Sequence, residues 1–156
     1  MSVYIEVNVE NFPSQQALSI KRNIRVPAFH QFIPQALEQL KTHAAALGAR
    51  LAGDPIRFYY GPVNENDDGP VESCFPVEGN VTPSGDIVVR QIPSHRAALA
   101  AAGPEQSRYP EILEVWDEVS AWVQRNKMAM NEETLCCYEI WHNDRISVVM
   151  PFADGD

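Results

Sequence analysis

An internal duplication constrains this 156-residue chain more than any other feature. Pro34-Gln35-Ala36-Leu37-Glu38-Gln39-Leu40 aligns with Pro110-Glu111-Ile112-Leu113-Glu114-Val115-Trp116, Phe58-Tyr59-Tyr60 with Cys137-Tyr138-Glu139, and Phe75-Pro76-Val77 with Met150-Pro151-Phe152. Each repeat reads as strand, helix, strand, strand. Such a unit cannot cover both faces of its own sheet, so two units are expected to pair about a pseudo-twofold axis. The predicted fold is α+β, an antiparallel sheet with two main helices and a central cleft. It forms a single domain over 1–156, with halves of about 1–79 and 85–156 separated by the turn-rich stretch between them.

The periodicities place the elements. Val3, Ile5, Val7 and Val9 alternate with polar residues as in a half-buried strand ended by Pro13, and a second extended piece runs from Ala17 to Arg25. Ile33, Leu37, Leu40, Ala44 and Leu47 recur at helical spacing, with Pro34 expected in the first turn and Gly48 as terminator. Ile56–Gly61 and Val71–Val77 read as a hairpin across the polar turn Asn64–Gly69. In the second half, Asp86–Ile92 and Arg96–Ala102 are extended, and a helix covers about Tyr109–Lys127. A final hairpin, Leu135–Phe152, turns at Asn143-Asp144.

Charge and composition exclude several classes of function. The net charge of −9, with no basic cluster, argues against direct nucleic-acid binding, which rests on clustered Lys and Arg. The first ten residues lack a basic flank and a cleavage site, and no apolar run reaches the roughly 20 residues of a membrane span. A cytoplasmic protein is expected, with no membrane partner and either monomeric or homodimeric. The odd cysteine count, with Cys136 and Cys137 adjacent, gives neither a disulfide framework nor zinc-ligand spacing. No metal and no cofactor are expected.

Glu139 is the residue to explain. In the strand-like stretch Tyr138-Glu139-Ile140-Trp141-His142, alternation puts Cys137, Glu139 and Trp141 on one face and Tyr138, Ile140 and His142 on the other. A carboxylate among apolar neighbours must be partnered, neutralised, or held ready for a cationic or polar ligand. The duplication is expected to bring Tyr60 near Glu139 and Phe58 near Cys137 on the cleft side, while Tyr138 packs on a helix. Trp116 and Trp122 sit at core spacing on the second helix. Candidate ligand-binding residues are therefore Glu139, Tyr60, Trp141, Phe58 and Cys137.

The second half also carries a family pattern. Gly85-Asp86-Ile87-Val88-Val89-Arg90-Gln91-Ile92-Pro93, then Gly103-Pro104, a Trp-bearing helix, Tyr138-Glu139-Ile140-Trp141 with Asn143-Asp144, and an apolar strand ending in Met150-Pro151 follow in that order. Together they resemble the GyrI-like small-molecule-binding domain, the effector-binding module of AraC-type and MerR-type transcription regulators, in its stand-alone form. The resemblance implies a cleft in which Glu139 contacts a lipophilic, aromatic and cationic small molecule, for effector sensing or sequestration. The chain shows no helix-turn-helix segment, so DNA binding is not carried over. One alternative reading is a hydrolase of reactive aromatic or cyclopropane-bearing compounds, with Glu139 as general base and Tyr60 as proton donor. Another is a protein-interaction or enzyme-inhibitor module.

Overall fold

The computed structural model describes residues 5–60, 69–126, 129–130 and 136–153. Within them the chain forms β1 (Asn8–Phe12), β2 (Gln15–Ile24), a 3₁₀ turn (Val26–Ala28), α1 (Phe29–Ala46), β3 (Arg50–Leu51), β4 (Ile56–Tyr59) and β5 (Gly69–Glu78). Then come β6 (Val88–Ile92), β7 (His95–Ala101), α2 (Ile112–Arg125), β8 (Ala129–Met130), β9 (Tyr138–His142) and β10 (Arg145–Ala153). The expected turn residues Asn64–Asp68, together with Val3, Lys127 and Leu135, lie outside the described residues. No helix among the described residues is long and apolar enough to cross a membrane.

The chain divides into two units, one of residues 1–13 and 93–156 and the other of 14–92. This differs from the sequence division, because the first strand of each repeat joins the other repeat's sheet. β1 pairs with β7, and β6 pairs with β2, both antiparallel. Pro13 and Pro93, which cannot donate a ladder hydrogen bond, sit where the chain leaves β1 and β6.

In the unit 14–92 the antiparallel strands run in the order β4-β5-β2-β6, with β3 on β5. Ala36, Leu40 and Ala44 of α1 bury against Leu18 and Ile20 of β2 and Phe75 and Val77 of β5. Helix α1 starts earlier than expected, so Pro34 lies in its second turn. There it removes one amide that would otherwise bond to the carbonyl four residues earlier. The helix stops at Gly48, whose φ of 74° is left-handed. The Gly48 amide donates to Ala45 O (3.1 Å) and the Ala49 amide to Ala44 O (2.9 Å), the paired bonds of a Schellman cap.

In the other unit the order is β1-β7-β10-β9, with β8 on β10. Ile112, Val115, Val119 and Val123 of α2, at helical spacing, bury against Ala98 and Ala100 of β7 and Val148, Met150 and Phe152 of β10. Each such side chain contributes roughly 1.5–3 kcal/mol when fully buried. Ile5, Val7 and Val9, the alternating residues of the N-terminal stretch, pack against the same core, and Leu113 is exposed. Asn143 takes a left-handed φ of 60°, which closes the two-residue turn between β9 and β10.

Candidate functional site

Strand register decides where Glu139 points. On β10, Ile146 and Val148 belong to the core beneath α2, and their direct partners on β9 are Trp141 and Glu139. Directly opposed residues share a face, so Glu139 and Trp141 point toward α2, with Cys137 packed against the same core. Glu139 is 3% exposed. Trp116, on α2, donates its Nε1–H to Glu139 Oε2 at 2.8 Å, and Trp141 donates Nε1–H to Oε1 at 3.2 Å. An indole N–H only donates, so both carboxylate oxygens act as acceptors, and neither donor carries a charge.

The sequence singles out Trp141 as a ligand-binding candidate and places Trp116 at core spacing, where a large aromatic can also form a cleft wall. Trp116 is half-buried against the core and is also the shorter of the two bonds to Glu139. Its donor role has no local signal, because it depends on the packing of α2 over β9.

Tyr138, expected to pack on a helix, does not point toward α2. It lies on the face away from α2, where His95 Nε2 is 2.6 Å from its hydroxyl and Phe12 stacks on the His95 ring at 5.1 Å between centres. His95 Nδ1 is 2.8 Å from the carbonyl of Pro93, which can only accept, so Nδ1 carries a proton. Burial lowers the His95 pKa against the raising effect of that backbone bond. In the resulting neutral ring Nε2 accepts, and the Tyr138 O–H donates to it. Burial, then the nearby charge of Glu10, pushes the Tyr138 phenol well up.

Tyr60 and Phe58 belong to the other unit, where they surround a different acid. Phe58 and Glu72 are register partners on β4 and β5, on the sheet face away from α1. Glu72 is 5% exposed and accepts hydrogen bonds from Ser19 Oγ (2.6 Å), the Tyr60 hydroxyl and Arg90 Nη1. Arg90 Nη1 also donates to the Tyr60 oxygen at 2.6 Å, and its guanidinium carbon lies 4.0 Å from the Phe58 ring centre. The Lys21 ammonium sits 3.9 Å from the Tyr60 ring centre. Burial works against the Arg90 charge, and Glu72, Tyr60 and Cys74 together more than offset it, leaving its pKa above the ordinary arginine value.

The pairing also corrects the alignment of the repeats around these residues. Pro76 pairs with Ala17 and Pro151 with Ala97, so the two prolines are equivalent. Counting back from them, Ser73 matches Val148, and their partners on the neighbouring strands are Arg57 and Glu139. The counterpart of Glu139 is therefore Arg57, not Tyr60. Arg57 likewise faces its helix, with its guanidinium carbon 5.4 Å from the ring centre of Phe29 on α1.

Among the described residues no group of three His, Cys, Asp or Glu side chains converges on a metal-sized site. Cys74 is fully buried; burial, then the neighbouring Glu72 charge, pushes its thiol well up, while Cys136 and Cys137 are half-buried and not in disulfides.

These features define a duplicated α+β fold with helix-covered antiparallel sheets, the fold class expected from the sequence. No protein-family model and no curated protein matches the chain. Among solved structures, the crystal structure of the EcmrR C-terminal domain is similar over 98% of this chain and all of that one, with a TM-score of 0.80 and 14% identity. EcmrR in its DNA complex gives a TM-score of 0.81 at 16% identity, covering 97% of this chain and 58% of that one. SAV2435 bound to tetraphenylphosphonium gives 0.57 at 15% identity, covering 96% and 94%.

Proposed function

We propose that this chain binds lipophilic aromatic cations, with Glu139 as the anionic anchor and Trp116, Trp141 and Cys137 as the surrounding surface. The observation that carries this reading is a carboxylate only 3% exposed whose two oxygens accept from two neutral indole donors. Those donors hold the acid in place. A cation about 4 Å from it would gain on the order of 4 kcal/mol at an effective dielectric near 20, before desolvation is subtracted. Indole faces add about 0.5–2 kcal/mol through cation–π contact. Support also comes from the shared fold with SAV2435, which was solved bound to tetraphenylphosphonium.

The test is calorimetric titration of wild type and Glu139→Gln with tetraphenylphosphonium and with triphenylphosphine oxide, a neutral aryl compound. The expected result is saturable binding of the cation, weakened by about tenfold or more, roughly 1.4 kcal/mol, in Glu139→Gln. Equal affinity of both proteins for the cation removes Glu139 from this role. Mass spectrometry of the recovered ligand separates binding from turnover, since a water-added product from a reactive aromatic compound would point to the hydrolase.

A further inference from the structure

Glu72 sits at the meeting point of four segments. Ser19 comes from β2, Tyr60 follows β4, Glu72 lies on β5 and Arg90 on β6. The hydrogen bonds run in one direction, with Ser19 and Tyr60 hydroxyls donating to the carboxylate and Arg90 donating to both Glu72 and the Tyr60 oxygen. Phe58, fully buried, places its ring beneath the guanidinium carbon. The side chains of Arg90 and Glu72 are 19% and 7% exposed, so this ion pair is largely removed from water, unlike the exposed pairs Arg22–Asp86 and Arg50–Glu78.

We infer that Glu72, Tyr60 and Phe58 form a guanidinium-binding site whose occupant is the chain's own Arg90. The arrangement has the parts that recognise a planar cation: an acid, a second oxygen acceptor beside it, and an aromatic face for stacking. One nitrogen, Nη1, reaches both acceptors, which an ammonium could also do, so the selectivity rests on the planar face that a guanidinium offers to Phe58 and a compact ammonium lacks. Because Arg90 is tethered beside the site, its effective concentration there is high, and an outside guanidinium competes poorly. The site is closed in the wild-type chain and opens when the tether is cut. This inference does not depend on the role proposed for Glu139.

Arg90→Ala keeps Cβ and removes the atoms that ethylguanidinium supplies. Thermal melts and calorimetry of wild type, Arg90→Ala and Glu72→Gln/Arg90→Ala are compared in ethylguanidinium, ethylammonium and sodium chloride at matched ionic strength. The expected result is a saturable rise in melting temperature for Arg90→Ala in ethylguanidinium, with about tenfold weaker binding or none in wild type and in the double variant. The response persists in a Glu139→Gln background, which separates this site from the other. If Arg90→Ala does not fold alone, recovery of the folded state in ethylguanidinium supports the site. Equal responses of the single and double variants, equal effects of ethylammonium, or failure to fold at every ethylguanidinium concentration overturn it.

Discussion

The Nε1–H of Trp116 donates to Oε2 of Glu139 across 2.8 Å, tying α2 to β9 through a buried carboxylate. Transfer of a carboxylate out of water is costly unless its oxygens are hydrogen-bonded. The bond is thus both a tertiary contact and a support for the proposed anchor. Trp141 makes the second bond from within the same strand, two residues along and on the same face.

Replacing Trp116 with Phe keeps a ring against the core but withdraws the donor. A buried acceptor deprived of its partner costs about 1–3 kcal/mol, so Trp116→Phe is expected to lower unfolding stability in urea by that amount. Trp141→Phe, which removes the longer bond, is expected to cost less. An unchanged urea midpoint for Trp116→Phe would show that the bond does not stabilise the fold.

A cation seated at Glu139 stands against two of the chain's three tryptophans. Tetraphenylphosphonium is expected to change indole fluorescence saturably in wild type and in Trp122→Phe. The same titration of Trp116→Phe/Trp141→Phe, monitored through Trp122, is expected to give a much smaller change. A full-sized change in that double variant would place the ligand elsewhere.

The His95–Tyr138 pair sets a pH window for stability. His95 has a pKa lowered below its ordinary 6.5 by burial, so as pH falls below that value the unfolded chain takes up a proton before the native one does. Stability is therefore expected to decline on acidification through that region. Tyr138 has its pKa raised above 10.0, so as pH rises past that value the unfolded chain loses a proton first, and stability declines again. Urea melts of wild type, His95→Gln and Tyr138→Phe across pH check each limb. Persistence of the acid limb's full slope in His95→Gln would assign it to other groups.

Gly48 isolates a backbone effect. An added Cβ there would meet nothing within 4 Å, but the residue is held at φ +74°. Gly48→Ala is expected to destabilise by roughly 1–2 kcal/mol through left-handed strain alone. Circular-dichroism-monitored denaturation measures it, and a neutral or stabilising result would mean that the helix end relaxes out of this cap.

Much of the fold was legible in local pattern. The alternation around Ile5, Val7 and Val9, the helical spacing of Leu40 and Ala44, and Gly48 as helix stop all rest on interactions within a few residues. The shared face of Cys137, Glu139 and Trp141 followed from strand period alone. The repeat alignment failed by register around Glu139, because matching Tyr60 to it relied on aromatic similarity, whereas the ladder matches Arg57. Glu72 and Arg90 carry no local signal, for a related reason. Each looks like an ordinary charge on a strand, and only pairing across β5, β2 and β6 brings them together.

Local pattern in the chain sets the α+β repeat, the main strands and helices, the helix stop at Gly48 and the division of β9 into two faces, but not the two-residue strands β3 and β8. Tertiary structure alone decided which of those faces α2 covers, giving Glu139 its indole donors and leaving Tyr138 to His95. It also decided that β1 and β6 join the sheet of the opposite repeat. The physical reason is that periodicity follows from the geometry of neighbouring residues, whereas coverage and strand partnership depend on contacts between segments far apart in the chain. No local pattern carries that information.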